Sequence, residues 1–206
     1  PVPACRQPAG MVISAMSEFD LGLSIALGVG LAAATGLRLF LPMLVVSVAA
    51  YTGHLPLSDN FAWLATLPAL ILLSVAALVE ILAYYIPGLD NLLDTLATPA
   101  AFVAGTIIAA AVITDLPPMV KWAAVIIAGG GIAGLTQTTS AVLRAKSTVL
   151  TGTLGNPVIA TGELGGSLLL SLMALVAPLF TLLVIAVLLW LAFRWLRRIS
   201  REPRPS

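Results

Sequence analysis

The first long apolar segment of the chain covers residues 21–52, which read LGLSIALGVGLAAATGLRLFLPMLVVSVAAYT. As one helix it would be about 48 Å long at 1.5 Å per residue, whereas the hydrocarbon core of a bilayer is about 30 Å thick. Gly36, Arg38 and Pro42 lie inside the segment. Because glycine and proline interrupt helices, the segment predicts a helix that is tilted, kinked or broken near Thr35 and Gly36.

The composition of the whole chain is that of an integral membrane protein. Of its 206 residues, 60% are hydrophobic and 9% are charged, which excludes an ordinary soluble domain. Further apolar segments cover residues 61–86, 96–113, 119–143 and 164–196. The last of these contains VAPLF at its centre, so it is either two short spans that turn there or one long kinked helix.

The charges between the apolar segments favour an even number of crossings. With six crossings, Arg144, Lys146 and the arginine-rich end of the chain lie in the cytoplasm, and only Lys121 lies outside. The sequence therefore predicts an all-α polytopic membrane protein with about six transmembrane helices, within a range of five to seven. We expect it in a bacterial inner membrane, with a cytoplasmic C-terminus.

The domain organisation follows from the same segments. We expect residues 1–17 to be a disordered leader, residues 18–198 to be a single transmembrane domain, and residues 199–206 to be a basic cytoplasmic tail. The apolar start lacks the basic end of a signal peptide, so no cleaved signal is predicted.

A short internal repeat joins the two halves of this domain. The motif GVGLAAATG at residues 28–36 aligns with GGGIAGLTQ at residues 129–137. With three spans between the copies, the halves 21–113 and 119–196 would form a 3+3 inverted repeat, in which solute sites form from broken helices near the midplane. The alternative is that the small residues only allow helices to pack closely.

Two charged residues inside the apolar segments are the first candidates for function, Arg38 and Glu80. A charge within a span costs about 2.5–3.5 kcal/mol on insertion scales, so each needs a partner or water. One interpretation is a buried ion pair between them, since arginine and carboxylate form two-pronged bonds. In the other, Arg38 binds an anionic group and Glu80 accepts a proton or a cation.

Two aspartates follow in IPGLDNLLDTLATP, residues 86–99. On a helix Asp90 and Asp94 would share one face, an arrangement that suits a hard cation such as magnesium, or a proton relay. Alternatively, Asp90 caps the amino end of the next helix and Asp94 interacts with the helix dipole. No histidine or cysteine lies nearby, which argues against zinc, copper or haem.

Polar residues near the second motif complete the predicted pathway. Glu163 begins the fifth span and would join Thr35, Thr136, Gln137 and Asn156 around a polar site. The alternative for Glu163 is an acidic residue in the first turn of a helix, stabilised by the dipole.

Templates for soluble enzymes fail. A single histidine and the absence of a GxSxG motif exclude a catalytic triad of known type, and the glycine run AGGGIAG lies in an apolar span, unlike a nucleotide-binding loop. We expect no cofactor beyond a coupling proton, sodium or magnesium ion, and no nucleic acid partner. The expected partners are the lipid bilayer, a small solute or ion, and further copies of the chain.

Several of these motifs together resemble one family. They are GLRLFLP, PGLDNLLDTLATP, GGGIAGLTQ, AVLRAKST and TGTLGNPV. The set is similar to a bacterial multi-pass membrane family known as domain of unknown function 4126, over about residues 20 to 195. The resemblance implies an inner-membrane protein of this size with these polar patches, and it implies no activity.

The function predicted from the residues is therefore a small transporter or channel that moves a solute or ion through a polar midplane site. A membrane-embedded enzyme that modifies lipids, with Asp90 and Asp94 as metal ligands, is the first alternative. A non-catalytic accessory or scaffold subunit is the second.

Overall fold

The computed structural model describes residues 9–86, 89–114, 116–151 and 155–199, and within them it describes only the backbone of residues 9–19, 89–92, 94, 150, 192 and 195–199. Most of these residues are helical, and the described ranges contain no strand. The predicted all-α class is confirmed. Part of the predicted leader, residues 1–8, and nearly all of the predicted tail, residues 200–206, lie outside the described residues.

Eight α-helices are described, together with a 3₁₀ helix and a π-helical turn. In chain order they are α1 (Ala9–Thr35), α2 (Phe40–Tyr51), the 3₁₀ helix Asp59–Ala65, α3 (Leu67–Ala83), α4 (Leu89–Val112), α5 (Pro118–Ala124), the π-helical turn Val125–Gly130, α6 (Gly131–Thr151), α7 (Asn156–Val176) and α8 (Pro178–Ile199). Helix α1 is central and packs against α4, α7 and α8. Because α1 begins at Ala9, it includes part of the segment predicted to be a leader.

The predicted break in the first apolar segment is confirmed. Helix α1 ends at Thr35, and α2 begins at Phe40. Local sterics explain the position, because Pro42 lacks an N–H and its ring would collide with the carbonyl of Arg38 in a continuous helix. In the first turn of α2 the same proline is tolerated.

Helix α2 returns alongside α1 instead of continuing it. The backbone N–H of Ser58, beyond the end of α2, donates to the carbonyl oxygen of Ala111 near the end of α4 (2.8 Å). Gly28 of α1 lies against Val112 and Ile113 at that same end of α4. Helices α1 and α2 therefore form a hairpin with its tip at residues 36–39, inside the bundle, and both arms point to one end of the molecule.

Prolines start four of the other helices. Pro68, Pro118, Pro157 and Pro178 each occupy one of the first two positions of α3, α5, α7 or α8. These positions suit proline because the first N–H groups of a helix have no partner within the helix. At the start of α3 the Thr66 side chain also accepts a hydrogen bond from the Ala69 N–H.

The last apolar segment forms two helices, as in the first of the two predicted alternatives. Helix α7 ends at Val176 and α8 begins at Pro178, within the motif VAPLF. Leu170 and Ile185 belong to one hydrophobic cluster. Since a straight helix would separate these residues by about 22 Å, the chain must fold back between them.

Small residues bring α1, α4 and α6 close together. A Cβ atom added to Gly36 would lie 2.6 Å from the Cβ of Thr136, and one added to Gly105 would lie 2.9 Å from the carbonyl oxygen of Gly129. Both distances are shorter than van der Waals contact, so only glycine fits there. Close helix packing by small residues, the alternative to an inverted repeat, thus accounts for both copies of the motif.

The two copies run in the same direction, which does not support the predicted inverted repeat. Both copies lie next to α4. Gly28 of the first copy lies near the carboxyl end of α4. Gly36, at the end of this copy, contacts Ala133 of α6, which in turn contacts Gly105 of α4. Along α6, Gly129 lies by Ala109 and Ala133 by Gly105. Helices α1 and α6 are therefore both antiparallel to α4. The prediction of opposite directions assumed that the first segment crosses the membrane, whereas it forms a hairpin.

The lengths of the helices support a membrane protein with several spans. By length and composition, three stretches of the described residues are candidate spans: Thr95–Val112, Pro118–Val149 and Asn156–Val176. The 3₁₀ helix and α3, bent by 70° to each other, add a fourth if they count as one span. A polytopic membrane protein is consistent with these helices, but six crossings are not confirmed.

Candidate functional site

Arg38 lies at the tip of the α1–α2 hairpin and is almost fully buried, at 1% exposure. One of its terminal nitrogens, Nη2, donates to the backbone carbonyl oxygen of Ala160 in α7 (2.8 Å). The same nitrogen lies 3.7 Å from Oε2 of Glu163, one turn further along α7. The tip of the hairpin is therefore tied to the middle of the bundle through a charged side chain.

Glu163 is buried between α6 and α7. Its Oε1 accepts hydrogen bonds from the Nε of Arg144 (3.0 Å) and from the hydroxyl of Ser140. Its Oε2 forms an ion pair with Nη2 of Arg144, in addition to its contact with Arg38. One carboxylate thus faces two guanidinium groups and a hydroxyl, the type of donor set that binds an oxyanion strongly.

Tyr84, which directly follows α3, holds the two arginines. The guanidinium carbons of Arg38 and Arg144 each lie 4.1 Å from the centroid of its ring. Arginine stacked on an aromatic ring gains a cation–π attraction, which grows where water is absent. The Tyr84 ring is 6% exposed, so both contacts are largely desolvated.

Glu80 closes the amino end of α2. Its two carboxylate oxygens accept hydrogen bonds from the backbone N–H groups of Leu39 (2.6 Å) and Phe40 (3.0 Å). These are groups that have no acceptor within the helix, and the helix dipole makes that end partly positive. The charges of Arg38 and Arg144 also act on this carboxylate.

Two positive and two negative side chains therefore meet inside the bundle, and we call Arg38, Glu80, Arg144 and Glu163 the charge cluster. They come from the hairpin tip, α3, α6 and α7. Removing charges from water is costly, and such groups persist only where they are paired and hydrogen-bonded. The cluster fulfils that condition by balancing the charges across four elements.

Two clefts reach the charge cluster from different sides. The Glu80 cleft, of about 450 Å³, lies between α3 and α4, with Glu80 and Tyr84 in its wall. The Glu163 cleft, of about 190 Å³, is formed mainly by α6, α7 and α8, with Ser140 and Glu163 in its wall. The other lining residues are mostly apolar, among them Phe40 in the Glu80 cleft and Leu37, Ile185 and Leu188 in the Glu163 cleft.

The structure brings together three of the residues singled out in the sequence, Arg38, Glu80 and Glu163. Arg38 and Glu80 are neighbours, as one interpretation required, but the carboxylate that contacts the Arg38 guanidinium is that of Glu163. Glu163 lies two turns inside α7, which begins at Asn156, and is 7% exposed. Its environment is therefore not that of an acidic residue in a first turn at the interface.

The other predicted pathway residues lie at the end of α1, on α6 and at the start of α7. Thr35 is buried and donates to the Leu31 carbonyl oxygen (2.8 Å), and Thr136 lines the Glu163 cleft while donating to Ile132. Gln137 is buried on the α6 turn that meets the hairpin tip. Asn156 is buried at the start of α7, where its Nδ2 donates to the hydroxyl of Thr148 (3.1 Å).

The predicted metal ligands are not tested. Asp90 and Asp94 belong to the first two turns of α4, and their side chains lie outside the described part of the structure. Among the residues whose side chains are described, no group of three or more histidine, cysteine, aspartate or glutamate residues is arranged to hold a metal ion. The magnesium site remains a prediction.

Sequence reasoning missed Arg144, Ser140 and Tyr84. Arg144 was predicted to lie in the cytoplasm between the apolar segments 119–143 and 164–196, whereas α6 continues to Thr151 and buries Arg144 at 1% exposure. The helix continues past residue 143 because no glycine or proline interrupts the sequence before residue 152. The i, i+4 spacing of Ser140 and Arg144 on that helix was the available signal.

Comparison with known proteins gives one informative result. No curated protein and no solved structure matches the chain significantly. Residues 25–198 match the family described as Domain of unknown function (DUF4126), and these residues include every helix from the end of α1 to α8 and the whole charge cluster. The predicted resemblance is thus confirmed, and the chain belongs to the DUF4126 family.

Proposed function

We propose that this protein is a membrane transporter or channel that moves a small solute or ion past the charge cluster. The observation that carries the proposal is the pair of clefts, one reaching Glu80 and the other Glu163. Glu163 contacts both arginines, and the charges of the same two arginines act on Glu80. Charged groups between two separate openings form a barrier that a solute passes only when the charged partners exchange.

The hairpin supports the same proposal. Backbone that is not helical is tolerated at membrane depth only where protein covers it or where it lines a cavity. Residues 36–39 meet the first condition through Glu80 and the second through the Glu80 cleft, to which Leu39 and Phe40 contribute. Broken helices with such ends are common in transporter binding sites.

A topology follows from the hairpin and the loop charges. We propose that α1 and α2 enter and leave the membrane on the outer side, and that α3, α4, the α5–α6 stretch, α7 and α8 make five crossings. The ends of α6 and α8 then share one side, which carries Lys146 and the terminal arginines. By the positive-inside rule that side is the cytoplasm. The compartment in this proposal is a bacterial inner membrane.

Flux measurements on purified protein in liposomes test the function. The probes are protons, sodium, chloride, sulfate and formate, each followed under an imposed gradient. We expect wild-type protein to carry at least one of them, and Arg144→Gln to reduce that flux at least tenfold. Arg194→Gln is the matched control, because Arg194 is exposed near the end of α8, where it stacks on Trp190.

Two results of the flux measurements would contradict the proposal. If wild-type protein carries none of the five probes, or if Arg144→Gln carries them at the wild-type rate, the cluster is not a transport site. Size-exclusion profiles and circular dichroism spectra of the two variants must match those of the wild type for the comparison to count.

A further inference from the structure

We infer that the transported solute is a small oxyanion, and that it binds between Arg38 and Arg144 in place of the Glu163 carboxylate, which takes up one proton. This inference rests on the proposed transport function and adds to it a class of substrate and a coupling ion. The exchange balances: one proton joins the carboxylate, one oxyanion enters, and the net charge of the cluster is unchanged for a monovalent oxyanion.

The donors around Glu163 have the geometry of an oxyanion site. Its two oxygens are held by the Nε and Nη2 of Arg144, by Nη2 of Arg38 and by the hydroxyl of Ser140. These donors form an oxyanion site that the protein fills with its own side chain. Guanidinium groups bind any carboxylate, sulfate or phosphate oxygens by the same two-pronged geometry, so a free oxyanion suits the site as well.

The Glu163 cleft gives access to this carboxylate. Ser140 and Glu163 lie in its wall, and its volume is about 190 Å³. A water molecule takes up about 30 Å³ of liquid, so the cleft has room for a formate or sulfate ion with some water. The rest of its wall is apolar except for Thr136 and Thr139. Arg38 and Arg144 contact Glu163 without lining the cleft, so an anion would meet them only when the Glu163 carboxylate gives way.

The charges around Glu163 explain the need for a proton. Among the described residues, the charged groups that contact Glu163 are Arg38 from the hairpin tip and Arg144 from α6. Tyr84, directly after α3, stacks on both arginines, and the charges of both act on Glu80 of α3. The residues of α1 and α8 that line the Glu163 cleft are apolar. An anion added beside an ionised Glu163 would leave an extra negative charge buried, which is strongly unfavourable. Protonation of Glu163 removes that charge and makes the guanidinium groups available to the anion.

Binding measurements in detergent test this exchange without any need for transport. The probes are sulfate and formate, which stay ionised between pH 6 and pH 8, with chloride as a comparison. Titration calorimetry in buffers of different ionisation enthalpy counts the protons taken up with each anion. We expect about one proton per bound formate, and an affinity that falls about tenfold per pH unit. Binding of formate but not sulfate identifies a monocarboxylate site, and binding of both identifies a general oxyanion site.

Glu163→Gln is the decisive variant. It should bind the anion without proton uptake, with an affinity that no longer depends on pH and that exceeds the wild-type affinity at pH 8. Asp59→Asn, an exposed carboxylate in the 3₁₀ helix, is the matched control and should behave as the wild type. If Glu163→Gln does not fold, the proton count on wild-type protein still tests the inference.

Three results would overturn the inference: no binding of either oxyanion, binding without proton uptake by the wild type, or an unchanged pH dependence in Glu163→Gln. These failures are distinct from a failure of the transport function. If neither oxyanion binds but the protein shows an Arg144-dependent flux of sodium, chloride or protons, the inference is rejected and the proposed transport function stands. If an oxyanion binds together with a proton but no probe is transported, the transport function is rejected and the oxyanion site stands.

Discussion

Arg38 and Arg144 hold their guanidinium carbons at the same distance, 4.1 Å, from the centre of one aromatic ring, that of Tyr84. Two like charges are thus brought close together in the protein interior, which is unfavourable unless negative charge lies between or beside them. Glu163 contacts both arginines and supplies that charge. The arrangement makes the stability of the hairpin tip depend on α6 and α7.

Removal of the Glu163 carboxylate should destabilise the protein strongly. Glu163→Ala leaves two buried guanidinium groups without this partner, and breaking a buried ion pair typically costs about 3–5 kcal/mol. Thermal unfolding in detergent, followed by circular dichroism, measures the loss. Asp59→Asn removes an exposed carboxylate and should unfold near the wild-type temperature. Equal unfolding temperatures for the two variants would show that the cluster does not stabilise the fold.

Substitution of Tyr84 should separate the role of its ring from that of its hydroxyl. Tyr84→Leu loses both cation–π contacts, worth about 2 kcal/mol or more where water is absent. Tyr84→Phe keeps the ring, so it should lose less stability than Tyr84→Leu. The same unfolding measurement applies. If Tyr84→Phe loses as much stability as Tyr84→Leu, the stacked arginines contribute little to stability and the hydroxyl accounts for the loss.

Glu80 should protect the amino end of α2 from hydrogen exchange. Glu80→Ala removes the acceptor of the Leu39 and Phe40 amides, and loss of a helix cap costs about 0.5–2 kcal/mol. We expect faster exchange in peptides covering residues 36–44, measured by mass spectrometry, and a smaller change in Glu80→Gln, which keeps one acceptor oxygen. Peptides from α7 are the internal control. Unchanged exchange at residues 36–44 contradicts the capping role.

Gly36 should tolerate no side chain. A Cβ atom there would lie 2.6 Å from the Cβ of Thr136 and 3.1 Å from the backbone nitrogen of Gln137. Gly36→Ala must push the hairpin tip away from α6, at a cost of about 1–3 kcal/mol. Gly131→Ala is the control, since nothing lies within 4 Å of its added Cβ and the substitution should be neutral or stabilising. A Gly36→Ala protein as stable as the control would mean that the tip is not packed as described.

The two ends of the α5–α6 stretch should lie on opposite sides of the membrane. Met119 and Thr151 are exposed and would be about 48 Å apart along a continuous helix, which exceeds the thickness of the hydrocarbon core. With Cys5 replaced by serine, Met119→Cys should react with an impermeant maleimide on intact cells. Thr151→Cys should react only after permeabilisation. Labelling of both in intact cells rejects the proposed topology.

The sequence predicted those features that depend on nearby residues. The break near Gly36 follows from one glycine and one proline, whose steric effects are local. Arg38 and Glu80 were recognised as candidates because a charge in an apolar segment needs a partner, and Glu163 because it begins the fifth span near other polar residues. Their actual partners were not predictable, since pairing depends on which helices meet. Arg38 contacts Glu163, and Glu80 caps a helix.

Two predictions are not supported by the structure, and in each a general rule was applied outside its range. The positive-inside rule treats an arginine near the end of a span as a loop charge. Arg144 instead lies within α6, and its side chain is buried in the protein. The repeat was expected to be inverted because the first apolar segment was counted as a crossing. That segment forms a hairpin instead, and the copies 28–36 and 129–137 point the same way.

The dependence of the hairpin on α6 and α7 has a consequence for biosynthesis. The ribosome releases Arg38 and the exposed amides of its hairpin long before it has made Arg144 and Glu163. Until those helices arrive, the nascent chain carries Arg38 without the carboxylate of Glu163, and a charge left in lipid without its partner is costly. Chains truncated before residue 156 should therefore be degraded more rapidly in the cell than the full chain.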